Sequence, residues 1–434
     1  MRFRVVIAMP LMLVGIWRSF ASESGNPNKE ELQKIKQSLE RILTDNIIPF
    51  WYPQTIDREN GGYRLNHDTQ GKWQGPSNKF IVSQARNVWF FARLYNSPYG
   101  KKEHLEAAKH GYEFLRDKMW DKEFGGFYSE VSSSGDSATV SSKHLYGQSF
   151  GLYALTEYAK ASGDASALEL ARKLFNTLES RAYDTKNGGY REFFQRDWTI
   201  PPATAVSFMG IGPDIKLYNT HLHLMEPMTP YYLATCDSVA RQRLIELIFI
   251  ESNTILQKHI GACADRHSLD WTPIQDPKFY RASYGHDLEN IWLLVDACDA
   301  AGIPNVPMMN LYRSLFDYAL TYGFDWERGG FYYTGPYNKP AEDRSKSWWV
   351  QAEALVSALR MYRLTGERMY FDCFTKTLDW VVKRQVDWKN GDWFADIRAD
   401  GTPSGMKAGP WKAAYHNGRS MLECLKILES LIEK

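Results

Sequence analysis

A seven-residue phrase recurs along this chain and restricts its folding more than any other feature. Asp57-Arg58-Glu59-Asn60-Gly61-Gly62-Tyr63 is answered by Asp121-Lys122-Glu123-Phe124-Gly125-Gly126-Phe127. Asp184-Thr185-Lys186-Asn187-Gly188-Gly189-Tyr190 and Asp325-Trp326-Glu327-Arg328-Gly329-Gly330-Phe331 repeat it. A worn copy, Asp387-Trp388-Lys389-Asn390-Gly391-Asp392-Trp393, comes last. The copies stand about 63 residues apart, with one double step between Asp184 and Asp325. That gap predicts a sixth, degenerate copy near Gly261 to Trp271. Self-similarity at a fixed period marks a repeat architecture, in which each unit buries its apolar face against its neighbours.

Each unit has the same internal order. A helical run such as Lys101–Trp120 leads into the phrase, whose paired glycines allow the positive φ of a tight turn. A second helical run follows, such as His144–Ala161, apolar around most of its circumference and therefore buried on nearly all sides. Six pairs with one helix of each pair buried describe an all-α (α/α)6 barrel. An open solenoid of helix pairs would need polar capping repeats at its ends, and neither end carries one. The inner helices are expected near Gln84–Asn96, His144–Ala161, Asn219–Cys236, His286–Ala301, Trp348–Thr365 and His416–Ile427.

Composition narrows the function classes. The 434 residues carry 52 Lys+Arg against 51 Asp+Glu, which lacks the electrostatic footprint of a nucleic-acid or membrane-surface partner. Five cysteines sit far apart with no CxxC pair, so neither a zinc site nor a disulfide scaffold is encoded. The 15 Trp, 25 Tyr and 22 Phe can build a large core and can also stack on sugar rings. At the N-terminus, Arg2 and Arg4 precede an apolar stretch from Val5 to Trp17 and the small residues of Ser19-Phe20-Ala21. This pattern predicts a cleavable signal peptide over 1–21 and an exported, periplasmic or secreted, mature chain. Residues 22–434 are expected to form one barrel domain without a membrane anchor, as a monomer or weak dimer.

The candidate chemistry lies at the starts of the inner helices. Arg86, His144, Tyr146, Asn219, His223, Glu226, His286, Glu289, Trp349, Glu353, His416 and Arg419 all fall there. Asn219, His223 and Glu226 share a helix face, as do His286 with Glu289 and His416 with Arg419. Parallel inner helices would bring these groups together around the barrel axis, the constellation expected of an active site. Singly, each residue has a structural reading: Trp349 as core packing, Arg86 as a surface charge, Glu289 as the group that fixes the His286 tautomer. His221 and His223 are a poor metal pair, because i and i+2 on a helix face apart.

Four motifs carry a resemblance. Asn219-Thr220-His221-Leu222-His223-Leu224-Met225-Glu226, Ser283-Tyr284-Gly285-His286-Asp287-Leu288-Glu289, Trp348-Trp349-Val350-Gln351-Ala352-Glu353 and Trp411-Lys412-Ala413-Ala414-Tyr415-His416-Asn417-Gly418-Arg419 are similar to the N-acylglucosamine 2-epimerase superfamily, in particular its cellobiose (mannobiose) 2-epimerase branch. The resemblance implies an (α/α)6 barrel, no metal or redox cofactor, and a small sugar as substrate. It implies essential roles for Arg86, His286, Glu289, Trp292, Trp349, Glu353 and His416, and substrate contacts at Asn219, His223 and Trp411.

The implied reaction asks for such residues. Inverting C2 of an aldose requires ring opening, removal of the proton α to the carbonyl, and return of a proton to the opposite face. Histidine suits both proton-transfer roles near neutral pH, and Arg86 is the expected donor to the enediolate oxygen. His286, paired with Glu289, is expected to be the acid, and His416 the base for a Glc-type C2 proton. The alternatives are an aldose–ketose isomerase, an N-acylglucosamine 2-epimerase, a non-catalytic sugar-binding protein, and a glycoside hydrolase using Glu226, Glu289 or Glu353.

Overall fold

A computed structural model describes residues 25–433, so the expected signal peptide lies outside the described residues. Twelve long helices alternate between two rings. The outer ones are α1 (Lys29–Arg41), α3 (Lys102–Phe114), α5 (Ala165–Arg181), α7 (Ser238–Phe249), α9 (Met309–Gly323) and α11 (Arg368–Trp380). The inner ones are α2 (Ile81–Tyr95), α4 (Leu145–Ser162), α6 (Tyr218–Thr235), α8 (Tyr284–Ala301), α10 (Trp348–Thr365) and α12 (Tyr415–Ile432). The expected inner helices are thus found within three residues at their starts, and α12 runs five residues beyond Ile427. Burial follows composition. In α4 every residue from Leu145 to Tyr158 is buried, whereas in α1 only Leu32 and Leu39 are.

Each inner helix packs on the next, and α12 packs on α2, which closes the ring and excludes an open solenoid. Outer helices pack on the inner helix of their own pair, with α1 completing the ring against α12. The architecture is an (α/α)6 barrel.

The repeated phrase is the fastener of this architecture. Its aspartate caps its own turn, as when Asp57 Oδ1 accepts from the backbone of Glu59 and Asn60. The other oxygen pairs with a buried lysine just ahead of the inner helix: Lys79 with Asp57, Lys143 with Asp121, Lys216 with Asp184, Lys346 with Asp325 and Lys407 with Asp387. Burial alone would raise the Asp184 carboxyl, but Lys216 and Asn187 hold it at about 2. An inner-helix glutamine then clamps the backbone of the phrase's aromatic. Gln84, Gln148 and Gln351 do this for Tyr63, Phe127 and Phe331. In the third unit His221 takes the same place, its Nε2 accepting from Tyr190 N at 3.0 Å. His221 is therefore a structural clamp.

The degenerate sixth copy is Gln257–Cys263. Gln257 stands in the aspartate's place, and its carbonyl accepts from Gly261 N as that of Asp57 does from Gly61 N. Ala262 and Cys263 replace the second glycine and the aromatic. Because these fasteners fix the register of every unit, all six inner helices begin at one end of the barrel, and their first turns face a common pit.

Candidate active site

Arg419 organises the pit. Its guanidinium, buried on α12, donates to carboxylates from three other inner helices: Glu226 of α6, Glu289 of α8 at 2.5 Å and Glu353 of α10 at 2.8 Å. It also donates to Tyr415 Oη, which in turn donates to Glu226. Guanidinium–carboxylate bonds of this kind are short and directional, so one side chain fixes three helices relative to a fourth. These three glutamates therefore close on a shared cation and do not stand as a facing pair across a glycosidic bond.

Two imidazoles lie against one indole. The His286 ring lies 4.7 Å from Trp349, centroid to centroid, and the His416 ring 5.8 Å from it. His416 Nδ1 is 2.7 Å from Glu353 Oε1, and Trp292 Nε1 donates to Glu353 Oε2 at 2.9 Å. With Nδ1–H held by the carboxylate, Nε2 of His416 keeps its lone pair for the pit. His286 Nδ1 is instead 2.9 Å from Ser283 Oγ, and Tyr218 Oη donates to the His286 carbonyl at 2.8 Å. His223 is the third imidazole, its Nδ1 2.8 Å from Glu226 Oε2 and its ring edge-on to Tyr146.

The expected pairing of His286 with Glu289 is corrected by these contacts. Glu289 does lie one turn along α8, but its Oε1 is taken by Arg419, and its Oε2 sits 3.9 Å from His223 Nε2 without a hydrogen bond. The histidine with a carboxylate behind it is His416, and the carboxylate comes from Glu353 on another helix. Arg419, read as the partner of His416, bridges the carboxylates instead.

Arg86 Nη2 donates to Tyr146 Oη at 3.0 Å, and its Nη1 donates to the Trp411 carbonyl at 2.9 Å. Its guanidinium lies over the Phe150 and Tyr415 rings. The Trp411 ring is 42 % exposed at the mouth, against Phe80, Phe208 and Tyr146. Asn219 is half-buried, its backbone N donating to Asp265 and its Oδ1 without a partner. Eleven of the twelve candidate positions are thus joined by contacts around the pit and its mouth; Asn219, which meets Asp265 through its backbone, is not linked to them. The sequence motifs include Tyr415 and Ser283 but give neither a role. Ser283 offered a signal, as a hydroxyl at the N-terminal boundary of α8, three residues before a histidine.

Burial sets the protonation states. It pushes His286 down to about 3, aided by the charge of Arg86, and it drives His223 and His416 well below the usual imidazole range. Burial thus favours the neutral form of all three rings. Burial holds both Glu289 and Glu353 above the usual carboxylate range, Glu289 also through the charge of Glu353. Glu353 meets three donors, Trp292, His416 and Arg419, and is the better placed of the two to keep its charge. Two triads, His223–His286–Glu289 and Glu289–Glu353–His416, bring possible ligand atoms within 4.8 Å of one another. Both need Glu289, however, and a cation bound there would face the Arg419 guanidinium at hydrogen-bond distance. The donor set fits protonated and neutral partners better than a metal ion.

The family model of N-acylglucosamine 2-epimerase matches residues 61–419, which span the pit from the first phrase to Arg419. A cellobiose 2-epimerase of Bacteroides fragilis is 31 % identical over 90 % of this chain and 98 % of its own. One from Ruminococcus albus is 32 % identical over 88 % of this chain and 96 % of its own. The structure of cellobiose 2-epimerase from Bacillus thermoamylovorans superposes with a TM-score of 0.84 at 29 % identity, covering 91 % of this chain and 99 % of that one. A matched barrel and a match through all the inner-helix motifs lead to one conclusion: the chain belongs to the N-acylglucosamine 2-epimerase family and is an isomerase of the epimerase class.

Proposed function

We propose that this enzyme inverts C2 of the reducing-end aldose of a β-1,4-linked disaccharide of the cellobiose or mannobiose type. The observation that carries the reading is the pair of buried imidazoles, His286 and His416, both packed against Trp349. The relatives named cellobiose 2-epimerase support the substrate class.

The chemistry runs as a closed proton cycle. On ring opening, His286 takes the O1 proton while Glu289, whose burial favours the protonated form, protonates the ring oxygen. His416 Nε2 then removes the C2 proton, and Glu353 stabilises the imidazolium as it forms. The electron pair passes into the C1–C2 enediolate, whose oxygen is stabilised by the Arg86 guanidinium. His286 returns its proton to the opposite face of C2. Ring closure passes the ring-oxygen proton back to Glu289 and the His416 proton to O1, so that every group ends as it began. His416 thus keeps the base role for a Glc-type proton, on the strength of Glu353. The case for His286 as acid rests on the O1 proton and no longer on Glu289.

Incubation with cellobiose, mannobiose, mannose and N-acetylglucosamine, followed by NMR, tests the substrate. The expected product from cellobiose is 4-O-β-glucosyl-mannose, with the rate unchanged by EDTA. A ketose as main product, or hydrolysis to monosaccharides, would contradict the reading. Loss of turnover on chelation, restored by zinc, would instead make a metal part of the site.

The Arg–apolar–Ala21 pattern supports export of the mature enzyme from the cytoplasm. N-terminal sequencing of the native protein is expected to begin at Ser22, and an intact Met1 would refute it.

A further inference from the structure

The repeat supplies an internal standard that singles out a groove whose lining shares no residue with the pit. After each phrase a hairpin reaches back over the phrase of the preceding unit. Five of these tips share one turn, closed by the bonds Gly71 N to Asp68 O, Gly135 N to Ser132 O, Trp198 N to Gln195 O, Trp271 N to Ser268 O and Gly401 N to Arg398 O. The last residue of each has a positive φ, from 67° at Trp198 to 86° at Gly401.

Four of the five tips sit tightly on what they cover. The Trp198 and Trp271 indoles plug their grooves, each Nε1 donating to a carbonyl of the phrase below, Phe124 at 3.1 Å and Asn187 at 3.0 Å. Gly71 and Gly135 press on the Phe50 and Phe114 rings instead, so that an added Cβ would stand 2.9 Å from each. At Gly401 an added Cβ would meet nothing within 4 Å. The groove beneath it encloses about 560 Å³, whereas the matching groove over the first phrase encloses about 40 Å³.

Charge also departs from the pattern there. In the second unit Arg196 crosses from its tip to Asp121 and Glu123, and the matching residue in the open groove is Ala399. Arg328, Arg344, Arg384 and Arg398 line the cavity. Among the described residues none of the four pairs with a carboxylate, and Arg344 donates only to Tyr332 Oη at 3.0 Å. Unpaired guanidinium groups around one cavity suit a bidentate oxyanion. Glu327 and Asp400 on the same wall suit hydroxyl donors, and the volume is that of a small-molecule site.

We propose that this groove binds an acidic sugar, its carboxylate or phosphate held by the arginines and its hydroxyls by Glu327 and Asp400. Calorimetric titration of the enzyme at low salt with glucuronate, glucose 6-phosphate and glucose tests this, and the two acids tell which oxyanion is preferred. At least one acid is expected to bind, more weakly as salt is added, with glucose failing to compete for it. The double variant Arg384→Ala/Arg398→Ala should weaken that binding at least tenfold. Gly401→Trp, which transfers to this groove the plug of the second and third units, should do the same. Both variants should epimerise cellobiose within about twofold of wild type, as surface changes do. Absence of binding by either acid up to about 10 mM would overturn the proposal. So would binding that neither variant alters, since it would then belong to the barrel pit.

Discussion

His286→Asn and His416→Asn are each expected to lower kcat for epimerisation by about 10²–10⁴-fold or more, the contribution of a positioned general acid or base. Asparagine keeps a hydrogen-bonding group toward Ser283 or Glu353 but removes the titrating nitrogen that faces the pit. The fold should survive, because neither ring carries a fastener of the barrel: the ring nitrogen of His286 meets a single serine and that of His416 a single carboxylate. The two variants should differ in one respect. With His286 gone, His416 can still remove and return the proton on one face of sugar that opens uncatalysed, so solvent deuterium should enter C2 slowly and without inversion. Thermal unfolding by circular dichroism, alongside NMR of the sugar, separates lost chemistry from lost structure. Either variant epimerising within about tenfold of wild type would end the two-histidine account.

Glu353→Gln should cost about 10²-fold in kcat, roughly 2.7 kcal/mol of transition-state stabilisation. The amide preserves shape and can still accept from Trp292, but it cannot stabilise the His416 imidazolium as a carboxylate does. It also turns one of the three glutamate partners of Arg419 into an amide. The expected signature is a fall in kcat with little change in KM, because Glu353 is fully buried behind the histidine. A loss confined to KM would assign Glu353 to substrate binding and remove it from the proton path.

The barrel could be anticipated because its fasteners are local. An aspartate, two glycines and an aromatic within seven residues repeat visibly, and the inner helices announce themselves by burial on all sides. The sixth copy was found only as a gap in the spacing, since Gln257, Ala262 and Cys263 keep the turn's backbone bonds while changing every side chain that marks it. Site membership was equally legible, because one end of six parallel helices must converge. Pairing within the site was not. Spacing of i, i+3 puts His286 and Glu289 on one face, yet each faces an axis crowded by five other helices and finds its partner by proximity. His416 meets Glu353 across 63 residues and Arg419 meets Glu226 across 193. No period in a sequence encodes those meetings; they follow from closure of the ring.

The most direct measurement of the central claim is the isotopic content of C2 when cellobiose is epimerised in D₂O and sampled at low conversion. If His416 removes the proton on one face and His286 delivers another from the opposite face, the epimer carries deuterium at C2 while the unreacted cellobiose keeps its protium. An epimer that retains protium at C2, or deuterium appearing at equal rates in both sugars, would contradict proton transfer by two separate groups.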